Sequence, residues 1–106
     1  MPGLQSETVG PCATLTGMTH RVFKYQADEN GTYHIPDRDP IVVHVAQQDG
    51  SVFPVLWCKV NVYEQRGVRS YQCVGTGQAV EASTLFVGSA VCGDFVWHVI
   101  DAGVGG

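Results

Sequence analysis

Basic residues are few. Six lysines and arginines against ten acidic residues leave a net charge of −4 over 106 residues, and no two of the six are adjacent. Nucleic-acid binding needs clustered cations interleaved with aromatics, so no nucleic acid is expected as a partner. The same scarcity removes the polybasic patch that holds a chain on anionic lipid. Apolar runs are short as well, none near the roughly 20 residues of a membrane-spanning helix, so no membrane is expected either. Residues 1–8 have neither the charged nor the apolar region of an export leader, so use without export is expected, with the four cysteines mostly buried as thiols. Leucine occurs four times and valine 17 times. β-Branched side chains suit a pleated surface and lose rotamer freedom in a helix. The best helical window, Gly77 to Leu85, is short and broken by Val80, Ser83 and Thr84. The expected fold is all-β: one small sandwich or barrel-like domain of about 7–8 short antiparallel strands.

Turn residues divide the chain. Residues 1–18, punctuated by Gly3, Gly10-Pro11 and Gly17, form an N-terminal arm; 19–101 form the β domain; 102–106 form a Gly-rich C-terminal tail. Strands are expected at Thr19–Gln26, Thr32–Ile35, Ile41–Gln47, Val52–Tyr63, Val68–Val74, Leu85–Ala90 and Phe95–Asp101. Asn30-Gly31 and Asp49-Gly50 are strong turn signals, and Pro36-Asp37-Arg38-Asp39-Pro40 is a rigid polar loop. A two-residue Asp49-Gly50 turn sets Val45 opposite Pro54 and Val43 opposite Leu56. A Gln65-Arg66 turn sets Val60 opposite Tyr71 and Cys58 opposite Cys73, which sorts apolar from polar residues. Opposed antiparallel positions lie within bridging range, so Cys58 and Cys73 are the candidate disulfide, against the alternative of two reduced core thiols.

Two segments are apolar on both faces: Ile41 to Ala46 and Phe95 to Ile100. A half-exposed strand alternates apolar with polar, so these strands have a second face that needs a cover. In a chain of this size another subunit is the natural one. Among the aromatics, at least half must be core. Phe53, Trp57 and Trp97, with Val42 and Val55, are the candidate contacts between subunits, since large aromatics dominate interface energetics. A sugar-stacking platform is a further reading, but no polar cluster stands beside the rings in sequence to give it specificity.

Chemistry-bearing motifs are sparse. His20, His34, His44 and His98 fall in no compact ligand spacing, and Cys58, Cys73 and Cys92 match no zinc ribbon or finger. No metal site or cofactor is expected. Ser89, Cys92, Asp94 and His98 are close in sequence, yet they sit on a strand–turn–strand and not on a nucleophile elbow. No catalytic residue is assigned.

The hairpin from Thr84 to Asp101 has an apolar strand, a glycine turn and then Phe95-Val96-Trp97. From Val60 onward the chain resembles small all-β virion proteins of tailed bacteriophages, such as head-decoration or tail-associated subunits. The resemblance implies a non-enzymatic subunit that self-associates and contacts other virion subunits, made in the host cytoplasm and located in the virion. Cys12-Ala13-Thr14-Leu15, Tyr25-Gln26-Ala27-Asp28 and Gly77-Gln78 with Gly88-Ser89 are similar to the tendamistat family of secreted α-amylase inhibitors. That family's Trp-Arg-Tyr triplet is replaced by Arg21-Val22-Phe23-Lys24-Tyr25. Its cysteine framework is not kept, because no Cys stands directly after Gly31 and Cys73 is extra. The alternative it implies is a secreted inhibitor or small binding module.

Overall fold

The structure, a computed structural model, describes residues 19–63 and 67–105; the N-terminal arm lies outside them. Seven strands follow in order: β1 (His20–Tyr25), β2 (Thr32–Ile35), β3 (Ile41–Ala46), β4 (Val55–Asn61), β5 (Val68–Gly75), β6 (Phe86–Cys92) and β7 (Phe95–Gly105). They form a three-stranded sheet, β1-β4-β3, facing a four-stranded sheet, β2-β5-β7-β6. Every pairing is antiparallel. The expected all-β sandwich is the observed one.

Alternation along the central strands builds the core. Leu56, Cys58 and Val60 of β4 point inward with no exposed surface, while Lys59 between them is exposed. They meet Tyr33 and Ile35 of β2, Tyr71 and Cys73 of β5 and Val99 of β7. β2 has only four residues, yet two of them are wholly buried. The Tyr33 hydroxyl donates to the Pro54 carbonyl, and the Cys73 sulfur lies 3.1 Å from the Tyr33 hydroxyl oxygen. A hydroxyl has one hydrogen, so the Cys73 thiol is the donor in the second contact.

Pairing corrects several expectations. β4 and β5 are not a hairpin: β4 lies between β1 and β3, and β5 between β2 and β7. The chain crosses from one sheet to the other after Asn61, so Cys58 and Cys73 sit on facing sheets, and both are free thiols. The β3–β4 hairpin keeps its turn, with Asp49 and Gly50 both at positive φ and Ser51 N–H bonded to the Gln48 carbonyl at 3.0 Å. Its register moves, however: Val45 opposes Leu56 and His44 opposes Trp57. Pro54 has no N–H to give a ladder, so pairing begins only at Val55 and Ser51 to Pro54 join the loop. A bulge at Val43 takes up a further residue. The last strand runs past the expected Asp101 into the Gly-rich tail: Gly103, Val104 and Gly105 pair with Ser70, Arg69 and Val68.

The β6–β7 hairpin turns at Gly93-Asp94, with Cys92 opposite Phe95 and Gly93 at φ +63°, the glycine-first placement of a type II′ turn. At Gly88 the sheets touch. An added Cβ there would stand 2.6 Å from Val45 Cγ2, closer than packed carbons approach. Gly88→Val is therefore expected to destabilise the fold by about 1–3 kcal/mol, the usual cost of overpacking. A urea midpoint unchanged from the parent would contradict this contact.

Candidate interaction surface

β3 and β6 are the edge strands on the same side of the sandwich, one in each sheet. They meet at Val45 and Gly88 and part towards Ile41 and Leu85, leaving an open groove of about 750 Å³. Ile41, Val42, Leu85 and Val87 form its apolar walls, with Tyr71 between the sheets. Both strands are bulged here, β3 at Val43 and β6 at Val87. The bulges account for the odd facing of these residues, since each shifts the alternation by one. Val87 turns inward and packs on the core, while Val43 is exposed. Leu85 precedes β6 and is held by its carbonyl, which accepts from Asp101 N–H at 2.9 Å; its side chain remains 66% exposed.

One end of the groove is charged. Arg69 donates to Asp101 at 2.6 Å and to the Arg38 carbonyl at 2.8 Å, with Asp39 at 3.5 Å. Asp37, beside it in the proline-flanked loop, is buried. Its carboxylate accepts from Asn61 N–H at 2.7 Å and Asp39 N–H at 3.0 Å, joining the end of β2 to the end of β4 across the two sheets. As a rigid polar loop the segment is expected to be exposed, and Asp39 is, whereas Asp37 is buried. The flanking prolines, which fix the loop against the sheet ends, were the available signal.

The structure separates the residues expected at an interface. Val55 is 1% exposed and is part of the monomer's interior, so it is withdrawn as a contact. Phe53 and Trp97 pack on the core, their rings 5.0 Å apart. Trp57 is half-buried on the outer face of the three-stranded sheet, its ring 5.2 Å from that of His44. Only Val42 reaches the groove. The apolar residues with most exposed surface, Ile41, Leu85, Phe86, Phe95 and Val52 among them, lie at strand ends, edges and loops. Period-two reasoning does not resolve such positions.

Among the described residues no three His, Cys, Asp or Glu side chains gather as a metal site. Of the Ser89, Cys92, Asp94 and His98 set, two come together. His98 Nδ1 lies 2.7 Å from Ser89 Oγ, and its Nε2 lies 2.9 Å from Thr76 Oγ1. A hydroxyl stands where an orienting carboxylate would be, and such a partner does not stabilise the imidazolium that nucleophilic catalysis forms. Burial pushes the Cys92 thiol up, away from the thiolate that a nucleophile requires. Trp97 Nε1 is buried without a hydrogen-bond partner, a state that costs about 1–3 kcal/mol.

The family model that matches the chain spans residues 18–104 and takes in all seven strands of the sandwich except the last residue of β7. The chain belongs to the family described as a domain of unknown function, DUF7352. No curated protein and no solved structure matches it. The DUF7352 unit is thus the two-sheet domain, with the β3–β6 groove inside the family's boundaries. No helix among its described residues is long and apolar enough to cross a membrane.

Proposed function

We propose that this protein is a non-enzymatic structural subunit that works by packing, and that its setting is a viral particle of the bacteriophage type. The observation that carries the reading is the β3–β6 groove, where exposed Ile41 and Leu85 continue into Val42, Val87 and Tyr71. Among the described residues thirteen large apolar side chains are exposed, Ile41 and Leu85 among them. A contiguous apolar patch with a polar rim is the usual form of a protein contact site. The occupants are a second copy of this chain and other subunits of the particle, with Arg69, Asp101 and Asp39 as the charged rim. The viral setting is supported by the Thr84–Asp101 hairpin, which forms the β6–β7 pair carrying one wall of this groove.

Native mass measurement tests the packing. At about 100 μM the chain is expected to form a homo-oligomer of defined symmetry, and Ile41→Lys with Leu85→Lys is expected to return it to monomer without unfolding it. A parent chain that stays monomeric, or an oligomer indifferent to both lysines, contradicts the reading. The viral setting predicts recovery with purified particles at a fixed ratio to the capsid subunit. Recovery only in the particle-free fraction contradicts that part alone.

A further inference from the structure

The opposite end of the sandwich holds a second depression, of about 570 Å³, between the turn after β5 and the β6–β7 turn. Its lining includes Thr76, Gln78, Asp94, Phe95 and Trp97. Its size falls in the range of small-molecule sites, and it is distinct from the proposed subunit groove. We propose that this depression binds carbohydrate: a neutral pyranose stacks on Phe95, and Asp94 and Gln78 take its hydroxyls.

Each requirement of such a ligand has a residue that meets it. A pyranose presents one face of polarised C–H groups and a rim of hydroxyls. The C–H face needs an accessible aromatic ring, whose π-cloud is negative. Phe95 is 65% exposed at the hairpin tip, and its ring is held beside Trp97 with centroids 6.0 Å apart and planes 30° from parallel. The rim needs an acceptor and a donor held near one another. Asp94, next to Phe95 in the turn, bears an acceptor-only carboxylate that has no hydrogen bond among the described residues. Gln78 is already oriented. Its Oε1 accepts from Gly75 N–H at 3.1 Å, and its own N–H bonds back to the Gly75 carbonyl at 3.1 Å. With the amide oxygen fixed, the side-chain NH₂ is left as a pair of free donors.

Charge narrows the ligand class. No lysine or arginine lines the depression, so a phosphate, sulfate or uronate would face Asp94 without a counter-ion. A purely apolar ligand would strip water from Asp94 and Gln78 with nothing in return. A nucleoside base would also stack, and it serves as the competing outcome of the test.

The full chain carrying Trp57→Phe, which leaves Trp97 as the single indole, is titrated with four probes. These are methyl α-glucopyranoside, methyl β-galactopyranoside, methyl α-mannopyranoside and tri-N-acetylchitotriose. Trp97 emission and the amide NMR shifts of residues 75–78 and 93–97 are read. At least one probe is expected to saturate with Kd between about 0.1 and 10 mM, shifting those amides and no others. Asp94→Ala and Gln78→Ala are each expected to weaken it at least about tenfold. Phe95→Ala should abolish binding, whereas Phe95→Trp, which preserves the platform, should retain it. The Ile41→Lys variant, altered at the far groove, should bind as the parent does. No saturable response to any probe at about 50 mM overturns the proposal. So does tighter binding of adenosine or glucose 6-phosphate at the same amides, or binding that survives Phe95→Ala.

Discussion

Replacing Tyr33 with alanine is expected to lower the unfolding free energy by about 3–5 kcal/mol, the range for deleting a large buried aromatic. The ring is wholly buried at the centre of the core, between Leu56, Cys58 and Val60 on one sheet and Tyr71, Cys73 and Val99 on its own. β2 has four residues and only one sheet neighbour, so little else holds it in place. Tyr33→Phe separates packing from hydrogen bonding. It keeps the ring but strands the Pro54 carbonyl and the Cys73 thiol, for an expected loss of about 1–3 kcal/mol. Urea titration with a constant m-value checks both. A phenylalanine variant as unstable as the alanine variant would mean that the hydroxyl, and not the ring, anchors β2.

The second large effect is alkaline unfolding. Burial pushes the Cys58 thiol up to about 12 and the Tyr71 phenol up to about 12, and raises Cys73 and Tyr33 in the same direction. These groups lose a proton on ionising, and their folded pKa values lie above the unfolded ones. The stability they confer is fully present below the unfolded values, near 9 for the thiols and 10 for the phenols. It is lost as pH rises through the folded values, because the unfolded chain releases protons that the folded chain retains. The denaturant midpoint is therefore expected to be flat from pH 7 to about 8.5 and to fall steeply between about pH 9 and 12. Cys58→Ala should lower stability at pH 7 and also flatten that fall. A midpoint independent of pH up to 11 would show that water reaches these groups in the native state.

Strand positions and turn chemistry were largely legible. Gly31, Gly50 and Gly93 all adopt the positive φ that their turns require. The inward residues were legible too, since Leu56, Cys58, Val60, Tyr71 and Cys73 follow the period-two pattern into the core. Their mutual arrangement was not. Matching Cys58 with Cys73 and Val60 with Tyr71 is the pattern of two strands side by side, and equally that of two sheets face to face. Alternation fixes which side of a strand is apolar but not whether its complement lies beside it or across from it. The groove was hidden for another reason. Bulges at Val43 and Val87 arise from backbone geometry with no glycine or proline at the bulged position to announce them. The polar rim around Phe95 was equally hidden, because Thr76 and Gln78 reach it from the turn after β5, a segment remote in sequence from Asp94.

Two open sheets have four free margins, each with unpaired amides and carbonyls that could recruit further strands without limit. Here every margin is blunted by a different device. β1 carries His20, Arg21 and Lys24 along its length, and β2 ends after four residues. β3 and β6 are each kinked, so neither offers a straight ladder to a newcomer. A protein so rich in valine and so poor in charge would otherwise be a template for fibrils. Straightening either kink, by deleting Val43 or Val87, should raise the fraction of the chain that accumulates as cross-β aggregate.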